Sequence, residues 1–161
     1  MKKAKHFKIY ELVSREIYER RGERAWQLID PLLIDTLDAL REQFGPCTIN
    51  NWKWNGVYHQ SGLRDNGHYK SLSKYHESLS QHKYGRAADC KFKNHSAQEV
   101  RKYILEHPEQ FPHITFLETG PLNSGKAMNW VHVDVRNGDG IVCWSPGEGA
   151  MKKEDVIRRK L

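Results

Sequence analysis

The stretch Trp130-Val131-His132-Val133-Asp134-Val135-Arg136 alternates strictly between apolar and polar side chains. Successive side chains on a β-strand point to opposite faces, so Val131, Val133 and Val135 share one face while Trp130, His132 and Asp134 share the other. A strand of this kind belongs to a sheet with one face against a core and the other facing a cleft or solvent. Working outward, four further segments read as strands from β-branched and aromatic content between turn residues: 47–54, 86–92, 113–118 and 141–144. Helical periodicity marks 7–22 and 28–44. In the second, Leu28, Ile29, Leu32, Leu33, Leu37, Leu40 and Phe44 recur at three- and four-residue steps. Asp30-Pro31 supplies a start for this helix, and Gly45-Pro46 a stop. Ser96-Ala97-Gln98-Glu99 is a capping-box pattern opening another helix that stops before Pro108.

Helices followed by strands, with one crossover helix, predict an α+β fold: a small, mainly antiparallel sheet with helices packed on one side. The expected organisation is a single domain over 1–146, with 1–27 as an N-terminal helical extension and 147–161 as a polar, basic C-terminal tail open to a helix. Residues 55–80 are polar, and a loop of that length inside a compact domain is usually functional or disordered.

With 161 residues the chain is long enough for one core without metal or disulfide staples. Cys47, Cys90 and Cys143 are odd in number and lack C-x-x-C spacing, which argues against a disulfide framework and a cysteine zinc knuckle. They read as buried thiols. No window approaches the about 20 apolar residues of a membrane span. The basic start, Met1 to Phe7, has no apolar run behind it, so the expectation is a protein made in the cytoplasm without a secretory signal. The net charge of +6 favours an anionic partner, and the basic residues gather in small clusters at Lys2–Lys8, Arg20–Arg24 and Lys152–Lys160. A solvated basic surface accounts for the same charge. Nucleic-acid binding is not expected, because no recognition helix or stacking motif accompanies it.

Histidine is unusually frequent, with nine residues, several of them near acidic ones. In Ser80-Gln81-His82-Lys83-Tyr84-Gly85-Arg86-Ala87-Ala88-Asp89, a turn at Gly85 would let His82 and Asp89 converge, with small alanines bringing the strand close beneath an ion. His132 then completes a set of two imidazoles and one carboxylate, a donor set that suits zinc. Taken singly, each segment also fits a chance His–Asp spacing or a surface pair.

Together the two runs, Ser-Gln-His-x-x-Gly-Arg-Ala-Ala-Asp and Trp-Val-His-Val-Asp, closely resemble the zinc D-Ala-D-Ala carboxypeptidase and L-Ala-D-Glu endopeptidase family. That family includes phage endolysins and shares its fold with the hedgehog signalling domain; the resemblance spans residues 28–136. It implies a hedgehog/DD-peptidase-like zinc peptidase domain with His82, Asp89 and His132 as the Zn²⁺ ligands. Ser61-Gly62-Leu63-Arg64 looks like the family's Ser-Gly-x-Arg element, whose arginine faces the substrate's carboxylate or carbonyl. Ser80 and Trp130 would then lie on the substrate side, as would any of His59, His68 and His76 that reach the cleft.

Many family members place an acid three residues before the last histidine, where this chain has Asn129. Glu118, at the end of the 113–118 strand, is the favoured replacement as general base. Asp134 is the alternative, about 6–7 Å along the strand from His132; its other expected task is to orient a histidine ligand or bind Arg136. The implied function is hydrolysis of peptidoglycan stem peptide by a monomer that acts on the wall once released. The competing expectation is a catalytically inactive, zinc-stabilised binding module.

Overall fold

The computed structural model describes residues 1–161. Six strands form one open sheet: β1 (Cys47–Thr48), β2 (Ala87–Phe92), β3 (Phe116–Glu118), β4 (Val131–Asp134), β5 (Val142–Ser145) and β6 (Gly149–Met151). Their order is β1-β2-β4-β3-β5-β6, and every neighbouring pair is antiparallel except β3 with β5. The α-helices are α1 (Ile9–Leu12), α2 (Arg15–Arg21), α3 (Pro31–Phe44), α4 (Leu72–Glu77), α5 (Ala97–Glu106) and α6 (Lys153–Arg159). None is long and apolar enough to cross a membrane. The fold class is thus α+β with a mostly antiparallel sheet.

Alternation sorts the sheet into two faces. One row runs Ala88, Val133, Leu117, Cys143 across four strands, and all four side chains are buried. They join a contiguous core with Leu33, Ile34, Leu37, Leu40 and Phe44 of α3 and Val100, Ile104 and Leu105 of α5. Each such side chain contributes about 1.5–3 kcal/mol when fully removed from water. The adjacent row, on the opposite face, runs Asp89, His132, Glu118, Trp144. The central β4 therefore carries core on one side and polar chemistry on the other.

The helix ends behave as their residues dictate. Asp30 caps α3 by accepting from Leu32 N at 2.9 Å. Ser96 accepts from Glu99 N, and Glu99 accepts from Ser96 N, closing the capping box of α5. The three cysteines are free and buried.

Several boundaries differ from the sequence expectation. The 7–22 segment is broken at Val13, whose backbone is extended and bridges to Leu63. Val13 O accepts from both Asn50 Nδ2 and Trp52 Nε1, so tertiary hydrogen bonds override helical periodicity there. Ser14 then caps a new helix through Ile17 N. Phe7, Ile9, Leu12, Val13, Ala25 and Trp26 are all buried in the main core, so residues 1–27 are built into the domain rather than appended to it. The strand expected over 47–54 stops at Thr48. Asn51 closes a local loop instead, exchanging bonds with Tyr58 through its side chain and backbone. Residues 55–80 hold a 3-10 turn at Asn66–Tyr69, capped by Asp65, and α4, capped by Ser71.

The expected tail, 147–161, supplies β6 and α6. Val156 is buried against the core, and the fully buried Arg101 of α5 donates to Met128 O, Trp130 O and Leu161 O. A three-residue strand and one buried valine leave too short a pattern for periodicity to register.

Deleting residues 1–27 is therefore expected to abolish cooperative thermal unfolding, because it strips six buried side chains from the core. An autonomous 28–161 fragment with a sharp calorimetric transition would show the N-terminus to be dispensable.

Candidate metal centre

His82 sits in a 3-10 turn, Gln81–Tyr84, that ends at Gly85. Gly85 has φ +68°, and a Cβ there would lie 2.0 Å from Leu28 O, so only glycine fits. The α3 N-terminus pins the chain at this point. Asp30 N donates to Gly85 O at 3.0 Å, and Arg86 Nε donates to Asp30 Oδ2 at 3.0 Å. β2 then starts at Ala87, and Asp89 N donates to Ser61 O at 2.8 Å. The His82 ring is oriented by its Nδ1, 2.8 Å from Gly62 O. A carbonyl only accepts, so the ring proton is on Nδ1 and the Nε2 lone pair faces the site. Gly62 is itself packed so close to α1 that a Cβ would fall 2.1 Å from Leu12 O.

Three donor atoms meet here. His132 Nδ1 is 2.9 Å from Asp89 Oδ1 and 3.2 Å from His82 Nε2, and His82 Nε2 is 3.4 Å from Asp89 Oδ1. A tetrahedral ion bonded at about 2.0–2.1 Å requires about 3.3 Å between donors. The triangle matches that spacing, and its three residues are all buried. It can hold a metal ion through two imidazole nitrogens and one carboxylate oxygen.

The far side of each ligand is also held. Arg64 Nη2 donates to Asp89 Oδ2 at 3.0 Å, and Arg64 Nε to Gln60 O at 2.9 Å. His132 Nε2 lies 3.4 Å from Asp134 Oδ2, and Arg136 Nε donates to Asp134 Oδ1 at 2.8 Å. Such partners set ligand tautomer and basicity.

The electrostatics follow from burial set against these partners. For His82, burial dominates and lowers the imidazole pKa. For His132, burial also favours the neutral ring, but the hydrogen bonds to Asp134 and Asp89 outweigh it and hold the ring at about 9. Burial opposes ionisation of Asp89, yet the two histidines prevail and keep it well below the usual aspartate range. Glu118 is raised, chiefly by burial, with His132 acting against the rise.

A cleft of about 270 Å³ opens on the triangle. Arg64, Ser80, Glu118 and Trp130 line it beside the three ligands, so the structure brings these expected residues together. Glu118 is directly across from His132 on the neighbouring strand. Asp134 does not line the cleft; it is fully buried, with its oxygens engaged by Arg136 and His132. That geometry suits the orienting task better than the task of base. Asn129 is exposed and outside the cleft, as are His59, His68 and His76.

Sequence reading missed Phe116, Gln81, Arg136 and Trp144 as cleft residues. Phe116 and Trp144 were accessible in principle. Phe116 shares a face with Glu118 by two-residue alternation, and Trp144 stands opposite Glu118 once β5 is paired.

Two outcomes are expected. Metal added to the ion-free protein at pH 7 should release about one proton per site, because His132 is protonated below its pKa of about 9 and His82 is not. Affinity should accordingly rise with pH and level off above about 9. Calorimetry in buffers of different ionisation enthalpy reads this directly, and no proton release would contradict it. Asp134→Asn should weaken metal affinity by about 10–100-fold in a chelator competition, since it loosens the His132 ring.

No family model, curated protein or solved structure matches this chain, so a functional reading rests on the chemistry of the site.

Proposed function

We propose that the chain is a zinc-dependent peptidase that hydrolyses peptidoglycan stem-peptide bonds, of the D-Ala-D-Ala carboxypeptidase or L-Ala-D-Glu endopeptidase type. In this reading it has a hedgehog/DD-peptidase-like fold and works as a phage-type endolysin. The observation that carries the reading is the donor triangle of His82, Asp89 and His132, spaced 2.9–3.4 Å, with the carboxylate of Glu118 in register beside it. The motif resemblance described above supplies the reaction class.

Zinc, when bound, supplies a Lewis acid that brings the pKa of water to near 7 and polarises a carbonyl. His82 and His132 contribute neutral nitrogens and Asp89 one negative charge, which leaves the site with net positive charge for a developing oxyanion. Glu118 takes a proton from the attacking water and passes it to the leaving amine. Its partial burial and raised pKa suit both halves of that task, since the same group must accept and then donate near neutral pH. Arg64 holds a substrate carboxylate or carbonyl at the cleft wall while securing Asp89. Asp134 acts through His132 by fixing its ring. Ser80, Trp130 and Trp144 form the walls against which the peptide lies.

The competing reading, an inactive zinc-stabilised module, takes its support from Asn129, which stands where many family members have an acid. The position of Asn129 outside the cleft, with Glu118 inside it, favours the peptidase instead.

Purified peptidoglycan incubated with zinc-loaded protein should yield new amino termini, and a chelator should stop their release. Glu118→Gln should retain one ion per chain and lose about 10²–10⁴-fold in turnover. His82→Ala should lose both ion and turnover. Stoichiometric zinc binding without any new amino termini would sink the peptidase and leave the binding module.

A further inference from the structure

A concavity of about 620 Å³ lies apart from the metal cleft. It lies between α2, the Gly22–Leu28 turn and residues 65–66, and its walls carry Arg20, Arg21 and Arg24. We propose that this concavity is an anion site for a linear phosphodiester polymer of the bacterial wall, docking the enzyme beside its cleft.

Two of the three arginines come from the last turn of α2, where they complement the helix dipole. That role explains neither Arg24 nor the concavity. Gly22, with φ +52°, turns the chain so that Arg24 returns to the same hollow. The acidic residues in the lining, Glu16 and Asp65, are both hydrogen-bonded, and three arginines against two carboxylates leave the hollow net positive. Glu16 pairs with Arg20 at 2.7 Å. Asp65 accepts from Ser14 Oγ, from Gln60 Nε2 at 3.0 Å and from Gly67 N at 2.9 Å. Glu23 is turned to Lys3 and Glu19 to Arg15. Arg21 and Arg24 are left with exposed guanidiniums and no carboxylate.

Guanidinium forks match phosphate oxygens with paired hydrogen bonds, which makes arginine pairs the recognition element for phosphate groups. The lining holds only one hydrophobic residue, Ile17, and no aromatic ring. A single-stranded nucleic-acid site needs aromatic platforms for its bases, so a phosphate polymer without bases is the better fit. The position adds the functional link. Asp65 and Asn66 follow Arg64 directly, and Arg64 lines the metal cleft, so the two sites are joined by about 7 Å of chain. The choice of a wall polymer rests on the peptidase reading above; the anion site itself does not.

The test uses the full zinc-loaded chain and poly(glycerol phosphate) as the probe. The double variant Arg21→Gln/Arg24→Gln should bind the polymer at least about tenfold more weakly than the parent. A charge-matched control, Lys126→Gln/Lys152→Gln, should change it by less than about twofold. Hydrolysis of a short soluble stem peptide should be the same in all three proteins. The proposal is overturned if the parent does not bind the polymer, or if the control loses as much as the arginine variant. It is also overturned if single-stranded DNA of equal charge binds as tightly and is lost in the same variant. A stem peptide cut by none of the three proteins would defeat the peptidase reading while leaving the polymer result to be judged on its own.

Discussion

Cross-strand register is the constraint on which the site depends. β4 pairs with β2 on one side and β3 on the other, and those pairings put Asp89, His132 and Glu118 in a single row. Neighbouring strands are about 4.8 Å apart, so side chains directly opposite one another meet with little adjustment. A slip of one residue in either pairing would send Asp89 or Glu118 into the core and bring an apolar partner to the site. Ala88 of β2 and Leu117 of β3 resist that slip, because their burial in the core would be lost at the same moment. Packing on one face thereby sets the chemistry on the other.

Burying this many ionisable groups is costly unless each is paired. The site meets that requirement in layers. Asp89 is shared between two histidines and Arg64, His132 between Asp89 and Asp134, and Asp134 between His132 and Arg136. Arg136 in turn rests its guanidinium on the Phe116 ring, 3.8 Å from the centroid. In the ion-free protein the proton on His132 takes the place of a positive centre between two carboxylates. Exchange of that proton for a divalent ion raises the local charge by one and couples occupancy of the site to pH.

The flanking segments turn the sheet into a site. The α3 N-terminus holds the turn after His82 through Asp30, and α1 supports Gly62, whose carbonyl fixes the His82 tautomer. The N-terminal segment thus reaches the metal centre through two backbones in close approach. Glycine is required at 62 and 85 for that reason, and neither position belongs to the donor set.

Much of this was legible from residues alone. Strict alternation over 130–136 identified β4 and its two faces, since a two-residue period has one structural meaning. Asp30-Pro31 and Ser96–Glu99 announced their helices because capping is local chemistry. The donor set of His82, Asp89 and His132 came from residue type, spacing and resemblance. What only the tertiary structure decided was set by contacts between distant segments. Val13 left its helix because Asn50 and Trp52 bond its carbonyl. Residues 147–161 became β6 and α6 because β5 offered an edge and α5 a buried arginine. Glu118 stands beside the triangle and Asp134 beneath it for the same reason. A strand's own sequence specifies which side chains share a face, but not which strand lies next to it.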